Sequence, residues 1–176
     1  MRAAVFIDGG YLAAVLKEEY GQPRIALEKL SDIVVGTDYE RLRTYFYYCM
    51  PYQSNPPTEE EKVRYSKAQG WISNLQRLPR FEVRFGKLAK RGDTFEQKRV
   101  DVLLSVDLVR MSWDHQIHKA VLVTGDSDFV PAIQAAKEAG VLVHLFYSDR
   151  AVHYELRDAC DDRTLISQEL IDKCTF

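Results

Sequence analysis

The chain has 176 residues and a mass of 20.3 kDa, which is the size of one domain with a substantial hydrophobic core. Hydrophobic residues make up 46% of it and charged residues 28%, and no apolar run approaches the roughly 20 residues that cross a bilayer, so we expect a globular protein without a membrane segment. The net charge of −2 excludes an overall basic field, although eight Lys and Arg residues lie between Arg77 and Arg99.

The N-terminus and the cysteines together predict a cytoplasmic protein. The first apolar stretch reaches Asp8 too soon to form the core of a signal peptide. The three cysteines, Cys49, Cys160 and Cys174, are odd in number, far apart and without metal-ligand spacing. We therefore expect free thiols in a reducing compartment.

Strand-like and helix-like segments alternate along the chain, which predicts a three-layer α/β fold of Rossmann type with a central, mostly parallel sheet flanked by helices. The predicted elements are, in chain order, strand 3–7, helices 11–20 and 25–35, strand 41–50, helix 58–78, strand 81–88, a polar loop at 90–97, helix 98–113, strand 121–124, helix 128–139 and strand 141–146. A C-terminal helical extension follows, with a helix from about 152, a strand at 164–166 and a terminal helix. No linker or repeat interrupts this series, so we expect a single domain over residues 1–176 with its core at about 3–147.

Carboxylates follow two of the predicted strands. Asp8 comes directly after strand 3–7, and Asp126 and Asp128 come just after strand 121–124. In open α/β sheets, ligands bind in the crevice outside the carboxyl ends of the strands, where the strand order reverses. Carboxylates that converge there repel one another unless a cation neutralises them, and hard oxygen ligands suit Mg²⁺ or Mn²⁺.

The helix predicted at 98–113 has apolar residues almost all round, so we expect it to be largely buried. It nevertheless carries Asp101 in its first turn and Asp107 further along. A buried, unpaired carboxylate is costly, and a metal ion would offset that cost for Asp101 if it faces the same crevice. Asp107 lies about 9 Å further along the helix axis, so we interpret it either as an outer support of the metal site or as a salt-bridge partner.

A simpler interpretation exists for each acid alone, because Asp is a preferred helix N-cap. Capping does not explain four acids from three separate elements at one sheet edge. Among the neighbouring residues, Gly9 permits close approach of a phosphate, whereas Thr124 and Ser127 either orient the acids or are simple turn residues. The chain lacks a phosphate-binding P-loop, a dinucleotide fingerprint and a His-Glu-x-x-His pair, which disfavours ATP, NAD and zinc-protease chemistry.

Three motifs, in this order, resemble the NYN domain family and in particular its LabA-like bacterial branch. They are the segments Phe6–Leu12, Lys98–Asp107 and Leu122–Pro131. The family is similar to PIN-domain nucleases, and this resemblance implies a Mg²⁺- or Mn²⁺-dependent ribonuclease whose metal-site and catalytic acids are Asp8, Asp101, Asp126 and Asp128. Many NYN sequences have Asn where this chain has Tyr11, so Tyr11 is expected either to stack on a base or to serve packing.

We therefore expect a metal-dependent phosphodiesterase that cuts RNA, as an endonuclease on single-stranded or loop regions, with a homodimer as an open alternative. Phosphate contacts are expected from five basic residues, Lys87, Lys90, Arg91, Lys98 and Arg99. Aromatic faces for base stacking are available at Tyr45, Tyr47, Tyr48 and Tyr52, although alternation places Tyr45 and Tyr47 on the face opposite Tyr48 and much of this set in the core. Two alternatives remain: a non-catalytic RNA-binding or regulatory protein, and a small-molecule phosphatase or nucleotidase.

Overall fold

A computed structural model describes all residues from Met1 to Phe176, with eight strands and seven helices. The elements of the first half are β1 Arg2–Asp8, α1 Gly9–Glu19, α2 Leu27–Val35, β2 Glu40–Tyr48, α3 Glu59–Leu75, β3 Phe81–Phe85, β4 Lys87–Arg91 and β5 Thr94–Lys98. Those of the second half are α4 Val100–Trp113, β6 Lys119–Val123, α5 Val130–Glu138, β7 Leu142–Tyr147, α6 Tyr154–Ala159, β8 Asp162–Leu165 and α7 Gln168–Cys174. No helix combines the length and the apolar character that a bilayer crossing requires.

Six strands form one sheet in the order β3-β2-β1-β6-β7-β8, and every neighbouring pair is parallel. The chain builds outward from β1 in one direction through β2 and β3, and from β6 in the other direction through β7 and β8. The strand order therefore reverses between β1 and β6, which are hydrogen-bonded neighbours. This reversal creates a crevice at the carboxyl ends of those two strands.

Each face of the sheet is covered by a helical layer with its own apolar cluster. On one face, α1, α2, α3 and α7 pack on residues such as Val5 and Phe46; on the other, α4, α5 and α6 pack on residues such as Phe6 and Leu122. Consecutive residues of β1 alternate between the two clusters, and five of its residues are fully buried. The predicted three-layer α/β architecture is therefore confirmed. The helices on both faces explain why β1 has apolar residues at successive positions.

The predicted polar loop at 90–97 is wrong. Residues Lys87–Arg91 and Thr94–Lys98 pair as an antiparallel hairpin that is separate from the main sheet, with Gly92 in the turn at φ +59°. The predicted strand 81–88 ends at Phe85, and its last residues belong to this hairpin. The polar composition of the hairpin concealed it, because both of its faces carry charged side chains and local alternation of apolar residues is lost.

Helix α4 is less buried than its apolar composition predicts. Its inner face, with Leu104 and Leu108, is fully buried, but Val102 is 66% exposed and Val106 is 55% exposed. The helix packs on one side against the sheet and α5, so the residues on its other side face outward whatever their polarity. Full burial would require a further layer on this side, and the chain does not provide one.

The C-terminal segment joins the same body. Strand β8 pairs with β7 at the edge of the main sheet, and Leu170, Ile171 and Cys174 of α7 lie in the apolar cluster of the α1 face. The backbone of this segment also contacts the N-terminal half of the chain, where the Ala26 amide donates a hydrogen bond to the Cys174 carbonyl at 2.7 Å.

Candidate functional site

The crevice at the β1–β6 junction is an open cleft of about 650 Å³. Its walls come from the end of β1, the start of α1, the loop after β6, the loop after β7 and the carboxyl-terminal end of β5. The lining residues are Asp8, Gly10, Tyr11, Gln97, Thr124, Gly125, Asp126, Arg150, Ala151, Val152 and His153. Most of these segments follow the carboxyl ends of parallel strands, and the sheet reversal is what brings them together.

Asp8 both caps a helix and faces the cleft. Its Oδ1 accepts a hydrogen bond from the Tyr11 amide at 3.1 Å at the N-terminus of α1, and Thr124 Oγ1 lies 3.5 Å from its Oδ2. Burial raises the pKa of Asp8 above its usual 3.8, the Tyr11 and Gly10 amides oppose that rise, and the charge of Asp126 adds to it. The capping and site interpretations of Asp8 are therefore compatible, since one carboxylate oxygen serves each.

Asp101, Asp126 and Asp128 form a tight acidic group, with one carboxylate oxygen from each lying within 4.8 Å of the others. Asp101 comes from the first turn of α4, and Asp126 caps the 3₁₀ turn Ser127–Phe129 by accepting from the Asp128 amide at 2.9 Å. Burial raises the pKa of Asp101, and the charges of Asp126, Asp8 and Asp128 raise it further. All four predicted acids thus share one electrostatic environment.

None of these four carboxylates forms an ion pair, although the chain has fourteen such contacts elsewhere. Clustered acids in a folded protein are usually offset by Lys or Arg, because like charges at this distance repel. Because no Lys, Arg or His lies within ion-pair distance of them, the repulsion among the four acids is not offset by a direct contact.

Asp107 lies outside this group. It accepts a hydrogen bond from the Tyr47 hydroxyl at 2.8 Å and pairs with Arg84 at 3.4 Å and Arg110 at 3.6 Å. Its side chain is 10% exposed and belongs to the packing between α4 and β2. Of the two interpretations of Asp107, the structure shows the salt bridge, because its carboxylate already has three partners.

The residues expected to contact substrate near Asp8 differ in their surroundings. Gly9 is buried, and a Cβ there would lie 2.6 Å from the Tyr47 carbonyl oxygen, so the lack of a side chain lets α1 pack against β2. Gly10 lines the cleft instead. The Tyr11 hydroxyl accepts from the Ser148 amide at 2.9 Å, and a Cβ on Gly125 would lie 2.5 Å from Tyr11 Cε2. Tyr11 is thus a packed wall of the cleft, which favours its structural role.

The other predicted contacts differ in position. Thr124 is fully buried beneath Asp8, while Ser127 is half-buried beside Asp126 and makes no side-chain hydrogen bond. Lys98 and Arg99 are exposed at the junction of β5 and α4, and Arg99 adopts a left-handed conformation with φ at +73°. Lys98 is 3.7 Å from Glu96, so part of its charge is already compensated.

Sequence reasoning missed Gln97, Arg150 and His153 as cleft residues. Arg150 and His153 follow β7, and the rule that ligands bind at the carboxyl ends of strands would have found them. No local signal marks Gln97, which arrives from the hairpin and whose side-chain amide lies against Gly10. Among the tyrosines, Tyr45 and Tyr47 are buried on one face and Tyr48 packs on the other, as predicted.

The fold and the site define a class: a three-layer, PIN-like α/β protein with an acidic cleft at the reversal of its parallel sheet. The chain belongs to the NYN domain family, whose model matches residues 2–168. NYN domains are generally nucleases. No curated protein gives a significant match.

A solved structure supports the same fold. The crystal structure of VPA0982 from Vibrio parahaemolyticus, a protein of unknown function, superposes with a TM-score of 0.65 at 18% sequence identity. The similarity covers 99% of this chain and 96% of the other. At that identity the likeness concerns the fold alone.

Proposed function

We propose that this protein is a metal-dependent ribonuclease of the LabA-like branch of the NYN family that hydrolyses phosphodiester bonds within single-stranded or looped RNA. The observation that carries the proposal is the group of Asp101, Asp126 and Asp128, whose oxygens lie within 4.8 Å of one another without an ion-pair partner, next to the cleft that Asp8 and Asp126 line. Membership of a family of nucleases supports the reaction class. The acids are the groups that such a reaction needs at this position.

The donor set fits a Mg²⁺ or Mn²⁺ ion. These ions take carboxylate oxygens at about 2.1 Å, so opposite ligands are about 4.2 Å apart, close to the 4.8 Å limit within which the three oxygens already lie. We assign the ion to Asp101, Asp126 and Asp128, with Asp8 as the fourth acid of the site. A bound divalent ion supplies positive charge that polarises the scissile phosphate and lowers the pKa of a coordinated water.

The chain prepares this site before any substrate arrives. The Tyr11 amide fixes one oxygen of Asp8 and leaves the other toward Thr124 and the cleft, while the Asp128 amide fixes Asp126. Since these contacts are made by backbone amides at helix starts, the carboxylates need little reorganisation to receive an ion. In this proposal, Asp101, Asp126 and Asp128 would hold the ion, and Asp8 would complete the site beside them.

Basic side chains around the cleft would bind the phosphates of the substrate. Arg150 lines it, and Lys98 and Arg99 stand exposed at the start of α4 beside Asp101. A phosphate chain entering between them meets positive charge before it reaches the acids, which offsets the repulsion between phosphate and carboxylate. The finer expectations of a cytoplasmic location and a homodimer stay predictions.

The test is cleavage of an internally labelled single-stranded RNA by purified protein in Mn²⁺, Mg²⁺ or EDTA. Asp126→Asn keeps the turn cap, because Asn caps as well as Asp, and should lower turnover at least about 100-fold. Asp114→Asn makes the same charge change at the exposed C-terminal end of α4 and should cut normally.

Other outcomes, with nucleotide monophosphates assayed as a second substrate, would contradict the proposal. Binding without cutting by the wild type in every metal would favour a non-catalytic RNA-binding protein. Release of phosphate from nucleotide monophosphates, with RNA left intact, would identify a nucleotidase. Equal cutting by the wild type and Asp126→Asn would remove the acids from the mechanism.

A further inference from the structure

The hairpin of β4 and β5 borders the cleft through Gln97, although it belongs to neither helical layer. In its register, Leu88 faces Gln97 and Lys90 faces Phe95, so these four side chains share one side of the hairpin. Leu88 packs against the α4 face of the core, and Gln97 reaches Gly10 in the cleft. The side that carries these residues is therefore the one turned toward the body of the protein.

Phe95 is the next residue along this side from Gln97, and it is not packed into the core. Its side chain is 51% exposed, and its ring centroid lies 5.4 Å from that of Tyr52, with the planes tilted by 47°. Lys90 lies 5.8 Å from the Tyr52 ring centre and makes no ion pair. An exposed phenylalanine supported from behind by a second ring is an unused aromatic platform.

The spacing matches that of a nucleotide chain. Two residues of a β-strand span about 7 Å, which separates Phe95 from Gln97 at the cleft, and stacked nucleotides advance about 3.4 Å each. A base on Phe95 therefore lies one or two nucleotides from a phosphate beside Gln97 at the edge of the cleft. The Tyr52 ring is too close to Phe95 to admit a base between them, so the open face of Phe95 is the stacking surface.

Charge complements this geometry. Residues 87–99 contain five basic and two acidic side chains, and Lys87, Lys90 and Arg99 have no ion-pair partner. Cations that alternate with an exposed aromatic ring are the arrangement that binds unpaired nucleic acid, because phosphates meet the cations and base faces meet the ring. A base in a duplex has both faces covered by its neighbours and cannot use such a platform.

We propose that the β4–β5 hairpin and Tyr52 form a base-stacking arm that holds one unpaired nucleotide on Phe95 beside the acid cleft. This proposal deepens the proposed function and rests on it, because it makes the arm the element that selects single-stranded over duplex RNA for the same site. Lys90 contacts the phosphate next to the stacked base, and Tyr52 keeps the Phe95 ring in place.

The test measures binding and not turnover, so that it can fail independently of the nuclease activity. A fluorescent single-stranded oligoribonucleotide and its duplex are titrated with full-length protein in EDTA and followed by anisotropy. Phe95→Ala should weaken single-strand binding by about 5- to 100-fold with little effect on the duplex, and Phe95→Trp should restore it. Lys90→Gln should lower the slope of log affinity against log salt by about 0.7.

The matched control is Trp113→Ala. Trp113 is 54% exposed but lies at the opposite end of α4, about 18 Å along the helix axis from Asp101. The Trp113→Ala variant should bind the single strand and the duplex as the wild type does. Unchanged melting temperatures would show that all variants fold. Wild-type affinity in Phe95→Ala, an equal loss for duplex and single strand, or no RNA binding by the wild type would each overturn the proposal. If the wild type cuts no RNA in any metal and Phe95→Ala still loses single-strand binding, the base-stacking proposal stands and the nuclease function is refuted.

Discussion

Replacing Asp126 with Asn is expected to stabilise the metal-free protein while it removes metal-dependent stabilisation. The oxygens of Asp101, Asp126 and Asp128 lie within 4.8 Å of one another, so two of the three pairwise repulsions involve Asp126. At the dielectric constant of water, each pair of ionised groups at this distance repels by about 0.9 kcal/mol. Physiological salt, with a screening length of about 8 Å, reduces this by roughly half.

The expected gain in the free energy of unfolding is therefore about 1 kcal/mol. Asp126 accepts a hydrogen bond from the Asp128 amide at 2.9 Å, and an Asn side chain at this position can accept the same bond, so the cap of the 3₁₀ turn is kept. For a chain of this size the gain corresponds to a rise of about 2–4 °C in the melting temperature. The assay is thermal and urea unfolding in EDTA at neutral pH and physiological salt.

Adding Mn²⁺ should reverse the order of the two proteins. The wild type gains about 2.7 kcal/mol when the free ion reaches 100 times its dissociation constant, and the variant gains much less. Asp107→Asn serves as the control, because Asp107 is surrounded by Arg84, Arg110 and the Tyr47 hydroxyl and its loss should destabilise the protein. A destabilised Asp126→Asn in EDTA would refute the reasoning that these acids repel one another.

The advantage of Asp126→Asn should also depend on pH. The pKa of Asp101 is raised in the folded protein, by burial first and by its acidic neighbours next, so the folded state takes up a proton before the unfolded state as the pH falls. Protonation of Asp101 removes its repulsion with Asp126. The stability difference between variant and wild type should therefore shrink as the pH falls toward 3.8, and a constant difference from pH 7 to pH 4 would contradict it.

Four further substitutions test the packing and one helix cap. Gly9→Ala should destabilise by about 1–3 kcal/mol, because its Cβ would meet the Tyr47 carbonyl at 2.6 Å, whereas Gly70→Ala in the open middle of α3 should stabilise by about 0.5–1 kcal/mol in the same urea titration. Leu104→Ala empties a fully buried site and should lower the free energy of unfolding by about 2–5 kcal/mol. Hydrogen bonds from Ser54 and the Thr58 amide lower the pKa of Glu61 to about 2. The ionised carboxylate therefore contributes to the free energy of unfolding above pH 4.5, and this contribution is lost as the pH falls toward 2. The urea midpoints of the wild type and Glu61→Gln should converge at that low pH.

The elements with strong local signals could be read from the sequence. The successive apolar residues of β1 and β6 predict strands buried on both faces, and each is followed within a few positions by an acid of the cleft. Thr58 with Glu61 predicts the start of α3, where the capping box is present. These signals are short-range, because a cap or an alternation is made by residues that are close in the chain.

Elements stabilised by distant contacts could not be read in this way. The hairpin depends on Leu88 reaching the core and on Phe95 meeting Tyr52, which lies 43 positions earlier in the chain. The exposure of Val102 and Val106 was hidden for the same reason, since an apolar residue on a helix does not reveal whether another layer covers it.

The sequence by itself determined that this chain forms an α/β protein of the NYN family with acids placed after its strands. Tertiary structure decided which of those acids meet. Strand order sets Asp8 beside the loop of Asp126, and the approach of α4 adds Asp101 while it turns Asp107 toward Arg84 and Arg110. The physical reason is that propensity and periodicity act over a few residues, whereas the position of a carboxylate relative to another across the sheet is fixed by packing of the whole core.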